Sequence, residues 1–177
     1  MAVPPAHLAC WDLRVAGDVL YVGGAQGIGV VDVADPTLPV WLGWTELPTH
    51  DIVNDIVLAD GYLYAGSIVT DWEGTGSVAH RLDVFSLADP LAPELVWRSA
   101  ELGGVGELLV FGDTAFLAAG GEGVLVWDVG DPTHPELQGA IATSGSPRGL
   151  AVSGEYLLAA QGGGGLLPIH VGALPAP

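Results

Sequence analysis

The chain has 177 residues, enough for one domain with a real core, and half of them are hydrophobic, which argues against disorder. Glycine (27) and proline (13) are abundant without a Gly-X-Y period, so the chain is rich in turns, poor in long helices and not collagenous. Four arginines, no lysine and 21 acids give a net charge of −17, which makes phosphate backbones and anionic membranes poor partners and cations or basic proteins better ones, while solubility or adaptation to salt explains it equally simply.

Residues 1–9 read as an N-terminal tail. Leu8-Ala9-Cys10 has some features of a lipoprotein cleavage site, but His7 stands where an aliphatic residue is needed and no basic or apolar leader precedes it. Cys10 is the single cysteine, so an intrachain disulfide is excluded. No segment reads as a signal peptide or a membrane span.

From residue 10 onward the chain repeats itself. The first unit (10–52) carries VAGDVLYVGG from Val15 and then GIGVVDVADPTLP, with Asp35-Pro36 and Pro39. The second (53–104) carries LADGYLYAGS from Leu58 and RLDVFSLADPLAP, with Asp89-Pro90 and Pro93. The third (105–146) carries VFGDTAFLAA from Val110 and GVLVWDVGDPTHP, with Asp131-Pro132 and Pro135. The fourth (147–177) carries VSGEYLLAAQ from Val152 and GLLPIHVGALP, which has lost the Asp-Pro pair. The period is about 42 residues, with a longer interval across the second unit.

Each unit resolves into four short strands. In the third they are expected at 107–111 (A), 114–119 (B), 124–129 (C) and from 136 to about 143 (D), bounded by Gly, Asp and Pro turns. Proline after aspartate suits a turn, since its φ is preset and it has no N–H for a ladder. Four antiparallel strands in such a period describe a β-propeller blade, an all-β architecture in which each sheet packs against its neighbours. The fourth unit ends before its outer strand, so a partial propeller is the preferred expectation, the alternative being a closed four-bladed ring in which residues 1–9, with Pro4 and Pro5, would have to supply that strand. An open arc of this kind leaves blade faces uncovered and predicts self-association.

These motifs resemble the LVIVD-repeat family of bacterial and archaeal β-propellers, over about residues 10 to 175. The resemblance implies the fold and says little of activity. Such proteins are mostly uncharacterised and secreted or on the cell surface, which is the localisation it implies. Trp127-Asp128 also resembles a WD repeat, but the other units lack that pair.

Aligning strand A places Asp12, Asp55, Glu107 and Gly149 at one position on the rim of the channel. Three carboxylates there predict a cation site, with Ca²⁺ favoured because oxygen ligands suit a hard ion. The commoner role for such acids is to cap backbone N–H groups of the neighbouring loop. The second unit carries about ten extra residues in its B–C loop, roughly 68–79, with Asp71, Trp72 and Glu73 inside it and His80 and Arg81 just after. Loops that exceed a repeat template often carry function, and an exposed Trp between acids can anchor a partner. His50 and Asp51 in the preceding D–A connection are expected on the same face, where a His beside an acid can act as base or ligand. His134 falls on the opposite face, His7 in the tail, and His170 in strand C. GGAQGIG and QGGGG lack the lysine and the helix of a phosphate loop and read as B–C turns.

The sequence therefore predicts a non-enzymatic binding or scaffold module that presents its strand A rim and inserted loop to a protein or a cationic ligand. A metal-assisted hydrolase or lyase using the rim carboxylates is the second reading.

Overall fold

The apolar and alternating runs form strands, as a period of two requires. The computed structural model describes residues 9–49, 51–70 and 78–172. Blade 1 is built of β1 (Cys10–Ala16), β2 (Val19–Gly24), β3 (Gly27–Asp32) and β4 (Val40–Glu46). Blade 2 has β5 (Ile52–Ala59), β6 (Tyr62–Thr70), β7 (Val78–Ser86) and β8 (Glu94–Arg98). Blade 3 has β9 (Leu108–Phe111), β10 (Thr114–Ala118), β11 (Val124–Asp128) and β12 (Glu136–Ile141). Blade 4 has β13 (Gly149–Ser153), β14 (Tyr156–Ala160) and β15 (Leu166–His170). Each blade is one antiparallel meander in sequence order. Among the described residues the only helical turns are short 3₁₀ segments at Gly120–Glu122 and Gly162–Gly164.

Repetition extends to the turns. The turn between the first two strands of each blade holds a glycine in the left-handed region (Gly17, Gly61, Gly112 and Gly154), where a side chain would be strained. After the third strand, the carboxylates of Asp35, Asp89 and Asp131 accept the N–H of Thr37, Leu91 and Thr133 respectively, closing the same Asx turn three times.

The core lies between blades. One apolar cluster joins blade 1 to blade 2 around Tyr21, Ile28, Ile56 and Phe85. A second joins blades 2 and 3 around Tyr64, Leu82, Leu108 and Trp127. A third joins blades 3 and 4 around Phe116, Val124, Leu150 and Leu157. Among the described residues no such cluster joins blade 4 to blade 1, so the blades form an open arc.

The structure corrects the expected loop at 68–79. Ile68, Val69 and Thr70 pair with His80, Ala79 and Val78, so much of the insertion lengthens the β6–β7 hairpin. The alternating β-branched run at Ile68–Thr70 has the composition of a strand. Asp71, Trp72, Glu73 and His50 lie outside the described residues. Strand D of blade 3 ends at Ile141, short of the expected 143.

Candidate functional site: the cleft at the channel mouth

Side chains from all four blades converge on one cleft of about 670 Å³. Blade 1 contributes Trp11, Asp12 and Arg14, and blade 2 contributes Asn54, Asp55, Ile68 and His80. Gly103–Glu107 and Gly120 line it from blade 3, and Ser146, Pro147 and Arg148 from the approach to blade 4. Bulges aim two of these residues. The β1–β2 register slips between Cys10 and Asp12, and the β5–β6 register between Val53 and Asp55, so Trp11 and Asn54 are the unpaired extra residues. A bulge bends the strand and redirects its side chains, here into the cleft.

The three aligned acids do one job three times. The Asp12 carboxylate accepts the N–H of Ile56 at 2.9 Å, Asp55 that of Leu108 at 2.6 Å, and Glu107 that of Leu150 at 2.8 Å. Each acid, on the first strand of its blade or, for Glu107, immediately before it, thus holds the first strand of the next blade. Gly149 occupies the position in blade 4 and has no carboxylate to offer. In blade 1 the matching donor, Leu13 N–H, is given to the adjacent Asp12 carboxylate, no blade preceding it among the described residues.

Electrostatics set Asp55 apart. Arg14 bridges Asp12 at 2.5 Å and Asp55 at 3.5 Å. Burial nevertheless pushes the Asp55 carboxyl up to about 7, reinforced by its hydrogen bond with Asp12 and the charge there, against the Leu108 N–H and Arg14. The named ionisable groups in the cleft are therefore two guanidinium groups and, above pH 7, three carboxylates. His80 is half-buried, its Nδ1 has no partner, and desolvation lowers its pKa so that it stays neutral.

A second polar cluster was not foreseen from the sequence as a unit. Asp51 and Asp83 are both fully buried and share Arg98, at 2.5 Å and 2.7 Å. Thr49 and Ser67 each donate a 2.6 Å hydroxyl bond, to Asp51 and Asp83 respectively. Burial raises the Asp83 pKa against the bonds from Arg98 and Ser67.

The sequence-derived candidates thus separate. Asp12, Asp55 and Glu107 line one cleft, but no group of three His, Cys, Asp or Glu among the described residues is arranged to hold a metal ion, and each of the three is committed to a backbone N–H. Asp51 is enclosed and engaged with Arg98 rather than turned to the cleft. His80 lines the cleft, and Arg81 binds Ser99 O and Glu101. Trp11, Arg14, Asn54 and Arg148 were missed. Arg14 and Arg148 carried a signal, being two of only four cations in the chain.

The LVIVD repeat matches residues 9–44 and 103–143, which hold most of blade 1 and all the strands of blade 3. No curated protein matches the chain. The computationally designed Ika4 protein is similar in structure over 97% of this chain and 96% of its own, with a TM-score of 0.66 and 14% identity. The designed Ika8 protein is similar over 92% of this chain and 46% of its own, with a TM-score of 0.62 and 15% identity, so this chain spans just under half of Ika8. BamB from Moraxella catarrhalis aligns over 88% of this chain and 55% of its own, with a TM-score of 0.45 and 15% identity.

Proposed function

As an LVIVD-repeat protein built of propeller blades, the chain is, we propose, a non-enzymatic binding module that receives a cationic group at the mouth of its central cleft. The observation that carries this reading is the cleft itself, lined from all four blades and holding Trp11, Asp55 and Glu107 together. Trp11 is 45% exposed and offers a ring face to a guanidinium or ammonium group. Glu107 is exposed and spends one carboxylate oxygen on Leu150. The net charge of −17 draws cations toward the surface from a distance. The β6–β7 hairpin reaches this cleft through Ile68 and His80, both of which line it.

The metal-assisted hydrolase reading has no comparable support, because the acids it needs are engaged with backbone N–H groups. A penta-arginine peptide is the probe, used in calorimetric titrations of wild type, Trp11→Ala, Glu107→Gln and, on the opposite face, Asp131→Asn. The expected result is binding by wild type and Asp131→Asn, weakened several-fold in the two cleft variants. Equal binding by all four proteins would mean attraction to the acidic surface alone and would overturn the proposal, as would no binding.

A further inference from the structure

The three internal junctions pair residues in a fixed series. Ile28 of blade 1 packs in one cluster with Ile56 of blade 2. Leu82 of blade 2 packs with Leu108 of blade 3, and Val124 of blade 3 with Leu150 of blade 4. In sheet register, Ile28, Leu82 and Val124 face Gly23, Gly66 and Ala118 across the ladder, and the blade 4 residue in that place is Leu166, opposite Ala160. Likewise Ile56, Leu108 and Leu150 pair with Ala65, Leu117 and Ala159, and the blade 1 counterpart is Leu13, opposite Val22. The next pair in the series is therefore Leu166 with Leu13. Ile28, Leu82 and Val124 are each 0% exposed, but Leu166 is 66% exposed. Ile56, Leu108 and Leu150 are 0%, 1% and 4% exposed, but Leu13 is 52% exposed. Each end of the arc is one half of a blade junction, and the other half exists at the opposite end of the same chain.

We propose that the uncovered face of blade 4 docks head-to-tail on the uncovered face of blade 1 of a second copy, and that the reciprocal contact closes a ring of two chains. The faces are chemically suited to it. Val15 and Leu13 on blade 1, and Leu158 and Leu166 on blade 4, present apolar surface in a chain otherwise crowded with acids. Trp41, stacked on Trp44 at 5.8 Å, lies over Gly29 in blade 1 and supplies a large aromatic anchor. A heterologous contact repeated by rotation closes a ring or propagates a fibre, and two arcs facing each other close it. The junction lacks the carboxylate bond that ties the internal ones, since Gly149 replaces the acid. It is thus weaker than they are and reversible. Two strongly acidic chains also repel, so salt that screens the charge strengthens association.

Sedimentation velocity of the 177-residue chain at micromolar concentration tests this. The expected species is a dimer of about 36 kDa, twice the 18.1 kDa of one chain, favoured by added salt. Leu13→Asp and Leu166→Asp each change an exposed residue, so near-UV circular dichroism should report an intact fold, while each variant alone becomes monomeric. Mixing the two variants restores one intact junction between them and yields a heterodimer. A monomeric wild type, a dimer that survives Leu166→Asp, or a mixture that stays monomeric would each overturn the head-to-tail assembly.

Discussion

Blade 2 holds two kinds of acid a few strands apart, and they do different work. At the rim, Asp55 accepts a backbone N–H from the next blade and shares Arg14 with Asp12, beside a cleft open to water. Deeper in, Asp51 and Asp83 are sealed from solvent and share Arg98. The rim acids link blade to blade through the main chain, so each can be exchanged for a neutral acceptor. The buried pair rests on one cation that both carboxylates need. The difference shows that position in the blade, and not residue type, decides whether an acid is a fastener or a buried charge.

Removing that cation should have the largest effect. Arg98→Met leaves two buried carboxylates unpaired and should destabilise the fold by about 3–5 kcal/mol in urea melts. Arg14→Met at the half-exposed rim should cost no more than about 1 kcal/mol. Equal losses would erase the distinction between the two groups.

The next prediction concerns pH. The carboxyl of Asp55 binds its proton more tightly in the folded chain than in the unfolded one, with a folded value of about 7. Its contribution to stability is therefore fully present below the unfolded value, near pH 4, and is lost as pH rises toward about 7. By linkage the loss is at most roughly 4 kcal/mol, and Asp55→Asn should abolish it. Thermal melts across this range should show wild type falling relative to Asp55→Asn, and parallel curves would remove the basis for treating Asp55 as distinct. Because the charged form also adds a third carboxylate to the cleft, penta-arginine should bind more tightly near pH 8 than near pH 6, with proton release.

Much of this was legible in the sequence, and the reasons are local. The Asp-Pro turns and left-handed glycines act within a few residues, so the repeat and the strands could be read directly. The alignment of Asp12, Asp55 and Glu107 followed from the same period, whereas the capping reading put their partners in the neighbouring loop and the N–H groups they accept belong to the first strand of the next blade. What it hid depends on distant pairing. Asp51 gave no sign that its partner was Arg98, 47 residues away. Asp83 did carry a clue, for it interrupts an apolar strand where blade 3 has Leu125, and its ladder partner is Arg98 itself. The bulges that turn Trp11 and Asn54 into the cleft leave no composition signal at all.

A smaller effect tests the rim bond in isolation. Glu107→Ala removes the acceptor for Leu150 N–H at the third junction without touching Arg14 or the Asp12–Asp55 pair. The expected loss is about 1–2 kcal/mol in urea melts. A larger loss would mean that Glu107 also carries packing that the Asp positions do not share.

The last prediction adds a rim bond where the repeat omits one. Gly149 is not in the left-handed region, and a Cβ there would meet Ala160 and Glu107 at 3.5 and 3.6 Å, ordinary contact distances. Gly149→Glu should therefore leave the melting of the single chain nearly unchanged, since among the described residues no blade follows to offer a donor. In the head-to-tail dimer that donor exists, namely Leu13 N–H of the second copy, which the carboxylate of the adjacent Asp12 accepts in the single chain. If the added carboxylate takes over this N–H as Asp12 takes that of Ile56, the dimer should tighten by roughly tenfold, the scale of one charge-assisted hydrogen bond. An unchanged dimer constant would mean that the seam does not reproduce the internal junctions at the rim, even where the apolar faces meet.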